Sequence, residues 1–181
     1  MQTNIHRAVV VEERLLPITP LSAEAFSPFG QLILPAEDGV SFGGADARLK
    51  LDAGTPRFYI MKLRGKGLTF SQITRHRQVT QCLASVGGAP WFIALAPPGD
   101  VHDEDAKPRL EDIRAFRIPG DIAIKLDVGA WHAGPFFDEA ELSFFNLELA
   151  DTNVVDHQSC LLDREYGVRL TFSPTGYRPT A

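Results

Sequence analysis

Short apolar and aromatic runs alternate with glycine, proline and aspartate along the chain, and each run has the length of a strand rather than a helix. Gln31–Leu34, Phe58–Leu63, Gln81–Val86, Trp91–Leu95, Arg114–Arg117, Ile122–Val128 and Ser143–Leu149 carry β-branched or aromatic residues between turn formers, which predicts a strand in each. The thirteen prolines and fifteen glycines are scattered, so no long helix survives them. The one helical opening is Leu21–Phe26, where Ser22 can cap and Ala25 and Phe26 can pack before Pro28 and Gly30 stop the turn. Ala36–Ala53 and Asp100–Asp112 are polar or glycine-rich and read as long surface loops. Seven or more strands with one or two short helices predict a mainly β sandwich, jelly roll or barrel. No repeat or linker divides residues 1–181, which are read as one domain whose tail from Ser173 is poorly ordered or lies across a partner.

Composition narrows the partners. Apolar residues make up 44% and charged residues 23% of the 181, ordinary globular usage. A net charge of −5 argues against nucleic acid, which calls for a clustered basic face. The longest apolar stretch, Pro90–Pro98, falls well short of the roughly 20 residues that span a bilayer. Near the start, Glu12 and Glu13 interrupt the apolar Ala8–Val11, a poor match to a secretory leader, so a cytoplasmic protein is expected. Cys82 and Cys160 have no paired spacing and are expected to be reduced and packed.

Candidate chemistry gathers at two histidines. Thr74-Arg75-His76 stands five residues before Gln81, ahead of an apolar run and the Gly87-Gly88 turn. A cupin barrel carries its first metal motif on such a hairpin, as His-x-His, four residues, then Glu, and in that register Thr74, His76 and Gln81 fall on the ligand positions. Gly129-Ala130-Trp131-His132 is similar to the second cupin motif, in which a glycine turn aims the imidazole into the barrel mouth. His76, Gln81 and His132 are therefore the candidate ligands of a divalent ion such as nickel, manganese, iron or zinc. An isolated histidine in a β protein is otherwise a hydrogen-bonded core or surface residue, and His6, His102 and His157 lack such context.

Strand alternation adds further groups. Asn146 and Glu148 share one face of their strand while Phe145, Leu147 and Leu149 share the other, and Lys125 and Asp127 lie opposite Ile124, Leu126 and Val128. If the polar faces line the lumen, Lys125 and Glu148 form an acid/base and oxyanion pair beside the histidines. The common antiparallel pattern, apolar in and polar out, favours solvent for both faces.

Taken in order, Leu21-Ser22-Ala23-Glu24-Ala25-Phe26-Ser27-Pro28-Phe29-Gly30, Arg75-His76 with Gln81, Leu110–Phe116 and Gly129-Ala130-Trp131-His132 make the chain similar to the ureidoglycolate lyase family, over about residues 17 to 160. The resemblance implies a homodimeric, cupin-like jelly-roll β-barrel of allantoin catabolism that cleaves (S)-ureidoglycolate to glyoxylate and urea, with a nickel or similar divalent ion in some members. Under it, His132 or Glu148 is the expected base, His76 with Gln81 the metal or substrate ligands, and Lys125 or Arg57 the carboxylate partner, with Trp131 and Asn146 also expected at the substrate. Three positions depart from the family: Thr74 stands where it commonly has Glu, Leu126-Asp127-Val128-Gly129 replaces Tyr-x-Pro-Gly, and Ala133 replaces a frequent His. These departures leave room for another small hydroxy- or ureido-acid substrate, or for a binding barrel without catalysis.

Overall fold

The computed structural model describes residues 11–173. Two five-stranded sheets face each other. One contains β2 (Gly30–Ile33), β3 (Pro56–Arg64), β6 (Gln81–Ser85), β9 (Ala123–Leu126) and β11 (Glu141–Leu149), in the order β2-β9-β6-β11-β3. The other contains β5 (Gln72–Arg75), β7 (Trp91–Ala96), β8 (Arg114–Ile118), β10 (Trp131–Phe136) and β12 (Gln158–Leu161), in the order β12-β5-β10-β7-β8. A third sheet joins β1 (Glu12–Pro17), β13 (Val168–Ser173) and β4 (Thr69–Phe70), with β1 parallel to β13. Three four-residue helices, α1 (Ala23–Phe26), α2 (Thr152–Val155) and α3 (Leu162–Glu165), complete the mainly β architecture.

The predicted strands are all present, with ends shifted by at most two residues. Ser22 caps α1 as expected, its hydroxyl accepting from the Ala25 amide at 3.0 Å. The region 36–53 is a loop, and the only helical piece of 100–112 is a single 3-10 turn at its end. Both cysteines are free, Cys160 being buried. The expectation for the tail past Ser173 lies outside the described residues, while Ser173 itself ends β13 and is buried.

Alternation along β5, β7 and β10 divides the interior into two cores. Trp91, Ile93 and Leu95 join Leu83, Ile124, Leu126, Phe116 and Phe144 between the two large sheets. Ala94, Ala96, Ile73, Trp131 and Ala133 join Phe70, Leu170 and Phe172 beneath the third sheet. The central sheet is thus buried on both faces, so its strands carry near-continuous apolar runs such as Trp91–Ala96.

Two features bring β5 and β10 to one end of the barrel. They pair antiparallel with His132 opposite Thr74, which puts those side chains on one face. The Gly129 amide donates to the His76 carbonyl at 2.6 Å, tying the turn before β10 to the chain just after β5. Gly129 has φ +81°, and a Cβ there would come within 2.4 Å of Val101 Cγ1 and 3.0 Å of Pro98 Cβ. Gly129→Ala is expected to cost about 1–3 kcal/mol of stability, read as a lowered midpoint in urea unfolding, whereas Gly87→Ala, with nothing within 4 Å of its Cβ, should lose less.

Candidate active site

At the end of the barrel where β5 and β10 meet, the space between the two large sheets is not filled by apolar side chains. A cavity of about 440 Å3 remains, and its walls include His76, His132 and His157 on one side and Gln81, Asn146 and Glu148 on the other. The ring centroids of His76 and His132 are 5.1 Å apart, and those of His76 and His157 are 5.8 Å apart.

Backbone carbonyls set the state of two imidazoles. His76 Nδ1 lies 2.5 Å from the Asp156 carbonyl and His132 Nδ1 lies 3.2 Å from the Ala130 carbonyl. A carbonyl only accepts, so each Nδ1 is the protonated nitrogen and each Nε2 keeps its lone pair. Burial lowers the pKa of His76, with the Asp156 carbonyl pulling the other way. Burial, reinforced by neighbouring His76, pushes His132 down to about 3. Both rings are neutral at pH 7.

Asp156 holds this corner in two ways. Its carbonyl meets His76, and its buried carboxylate accepts from the Arg77 amide at 2.7 Å and the Gln78 amide at 2.8 Å. The same segment carries Asn153 and His157 to the cavity wall. One residue earlier than His76, Arg75 points away from the cavity: its fully buried guanidinium stacks 4.8 Å from the Trp131 ring and donates to the carbonyls of Pro98, Asp100 and Asp103. That clamp fixes the start of the 97–112 connection.

Glu148 is buried and gripped by three donors. Tyr59 Oη and Asn153 Nδ2 donate to Oε1 at 3.1 and 3.2 Å, and Gln81 Nε2 donates to Oε2 at 2.9 Å. Gln81 Nε2 also reaches Asn146 Oδ1 at 3.2 Å, and Asn146 Nδ2 donates to Tyr59 Oη at 3.1 Å. Exchanging the Gln81 oxygen and nitrogen would set its oxygen against two acceptors, so the amide has one tenable orientation. In that orientation Gln81 Oε1 is a buried acceptor without a partner.

The candidate residues from the sequence separate into two groups. His76, Gln81, His132, Asn146 and Glu148 meet at the cavity. The expectation that the Asn146 and Glu148 face looks to solvent is corrected, since both are 1% exposed and turn inward. Lys125 does not join them. It pairs with Cys82 and Gln31 on the outer face of its sheet, where its ammonium is buried against Asp127. Nearby, the 36–53 loop is bonded to that edge through Gln31 and Thr80. Trp131, one residue before His132, turns into the core beneath the third sheet and cannot touch a substrate in the cavity. Arg57 is exposed on edge strand β3 and stacks on Tyr59 at 3.7 Å, outside the cavity lining. Tyr59, Asn153, Asp156 and His157 were not identified from the sequence. Asp156-His157 stood in a polar segment without a motif spacing to His76, and Tyr59 carried no signal beyond strand propensity.

A divalent ion can be tested against this donor set. Among the described residues no three His, Cys, Asp or Glu side chains gather as a metal cluster. Two imidazoles with fixed tautomers and free Nε2 lone pairs, together with the partnerless Gln81 oxygen, do fit a weak site for a borderline ion. Thr74, whose hydroxyl bonds the Ser159 hydroxyl at 3.1 Å, adds no strong ligand.

A ureidoglycolate lyase from Azotobacter vinelandii is 29% identical over 131 residues, spanning 66% of this chain and 75% of that protein. One from Pseudomonas savastanoi pv. phaseolicola is 30% identical over 138 residues, spanning 66% of this chain and 74% of the relative. Among solved structures, a dTDP sugar isomerase from Desulfovibrio desulfuricans G20 aligns with a TM-score of 0.36 at 16% identity over 66% of this chain and 74% of its own. The sequence profile described as Ureidoglycolate lyase matches residues 13–169, and the chain belongs to that family.

Proposed function

We propose that the protein cleaves ureidoglycolate to glyoxylate and urea, as a cytoplasmic enzyme of allantoin catabolism. The observation that carries this reading is a carboxylate gripped by three donors, in one cavity with two imidazoles of fixed tautomer. Membership of the ureidoglycolate lyase family supports it.

Ureidoglycolate bears its hydroxyl, carboxylate and ureido nitrogen on a single carbon. Cleavage breaks the carbon–nitrogen bond, turns the carbinol into an aldehyde, and transfers the hydroxyl proton to the departing nitrogen. Glu148 is placed to carry that proton: it takes it from the hydroxyl and releases it to nitrogen, ending as it began. Tyr59, Asn153 and Gln81 hold the carboxylate in place for both transfers. Gln81 Oε1 supplies an acceptor for a ureido N–H, which would satisfy its orphaned lone pairs. His132, with its pKa near 3, is a weak proton acceptor. Its Nε2 therefore acts as a hydrogen-bond acceptor or ligand, and the base role expected of His132 or Glu148 falls to Glu148. If a divalent ion binds, His76, His132 and Gln81 would hold it, and it would polarise the substrate oxygens.

Glu148→Gln should lower kcat by about 10²–10⁴, measured as glyoxylate formed from ureidoglycolate. Wild-type protein that releases no glyoxylate above the spontaneous rate, with divalent metal supplied, would remove the lyase reading.

Both imidazoles resist protonation when folded, so the unfolded chain binds more protons below its usual histidine pKa of 6.5. Stability present above pH 6.5 should therefore decline progressively as pH falls from there toward about 3. In thermal melts across that window, His132→Gln should flatten the decline.

We also propose that a second copy of the chain covers the outer face of β3 and β11. Phe58 and Ile60 are 68% and 58% exposed there, and Phe58 stacks on Phe145 with ring centroids 5.8 Å apart. β3 is a nine-residue edge strand, and a self-complementary pairing of two such faces would bury both the rings and the open edge. Phe58→Asp should convert a dimer to monomer in sedimentation analysis, and a wild-type protein that sediments as a monomer at all concentrations would refute the pairing.

A further inference from the structure

We propose that Lys66 is the carboxylate-recognising residue of this cavity, an inference that rests on the lyase reading for its substrate. An anionic substrate entering here meets the buried carboxylate of Glu148 in the cavity wall. A compensating cation is needed, and neither cation expected from the sequence is available. Lys125 lies on the far side of its sheet, and Arg57 sits outside the lining.

Lys66 is the one lysine or arginine among the residues that line the cavity. Its ammonium lies 5.0 Å from the centroid of the Phe136 ring, and Phe136 is itself a wall residue. The contact holds the charge at the cavity rim without neutralising it. Among the described residues Lys66 has no carboxylate within ion-pair distance, unlike Lys62, Lys107 and Lys125. Its turn is built tightly. A Cβ on Gly65 would come within 2.3 Å of the Glu139 carbonyl, and Gly67 has φ +75°. Glycine on both sides brings the backbone close to the β10–β11 connection and presents the lysine stem at the rim. A lone ammonium at the rim of a cavity whose lining holds no other lysine or arginine selects a small monoanion over its uncharged analogue.

The test compares the wild type with Lys66→Met, Lys66→Arg and, as control, the exposed Lys107→Met. Glyoxylate and uncharged glycolaldehyde are titrated by calorimetry, and ureidoglycolate turnover is measured in parallel. Lys66→Met should weaken glyoxylate binding and raise KM about tenfold, with kcat little changed. Lys66→Arg should restore most of both, and Lys107→Met should behave as wild type. Rising salt should weaken glyoxylate binding in the wild type and not in Lys66→Met. Glyoxylate affinity unchanged in Lys66→Met, or wild-type binding no tighter for glyoxylate than for glycolaldehyde, overturns the proposal. Lys66-dependent glyoxylate binding by a protein that leaves ureidoglycolate intact supports the carboxylate subsite while removing the lyase reading.

Discussion

The hydrogen bond from the Gly129 amide to the His76 carbonyl is the join on which the site depends. His76 follows the end of β5 and His132 is the second residue of β10, strands separated by 55 residues of connection and sheet. Pairing of β5 with β10 is registered at one point, His132 opposite Thr74, so the strands alone define little beyond their adjacency. The amide bond closes the corner just above that pair and fixes how far apart the two rings stand. Only glycine supplies it without strain, because the same residue must take a positive φ and leave space for Val101 and Pro98.

From that corner outward the polar groups support one another. Asp156 bonds His76 through its carbonyl and the next two amides through its carboxylate, so the segment that delivers His157 and Asn153 is anchored to the strand that delivers His76. Asn153 and Gln81 then reach Glu148 from opposite sides, and Tyr59 closes the network through Asn146. Each donor in this network has an acceptor, and its one unmatched group is Gln81 Oε1, a buried acceptor without a partner.

Much of the fold was legible because its strands are short, aromatic or β-branched and separated by glycine and proline. What escaped were β1, β4, β5, β10, β12 and β13: Thr74-Arg75 and Trp131-His132 stood out as parts of motifs rather than of strands, and β1 and β13 pair across almost the whole chain. The two histidines were legible from spacing. The facing of the polar strand residues was not, and the reason is specific. The rule of apolar in and polar out assumes that the inside is a packed core. It holds for Ile124 and Leu126, which point into such a core while Lys125 points out, and it fails for Asn146 and Glu148, whose inside is a cavity. Lys125 is nevertheless buried on the outer face, and alternation along one strand gives no hint of that. Trp131 was misplaced because a third sheet covers the outer face of β10, giving that side its own core.

A cavity at the end of a β barrel must reconcile two demands. The groups that move a proton need fixed geometry, and the substrate's charge needs a counter-charge that does not collapse onto those groups. Here the demands are met by separate elements. Glu148 and the histidines sit on strands and on a clasped segment, each with hydrogen bonds that fix its direction. A lysine built next to Glu148 would pair with it, and the carboxylate would then be a salt-bridge partner instead of the proton carrier proposed for it. Lys125 is already committed in this way to Asp127. Keeping the available cation on the turn between β3 and β4, held against an aromatic ring rather than an acid, leaves Glu148 to neutral donors. On the proposed reading, this separation of charge in space lets a small acidic substrate and a buried carboxylate share one cavity.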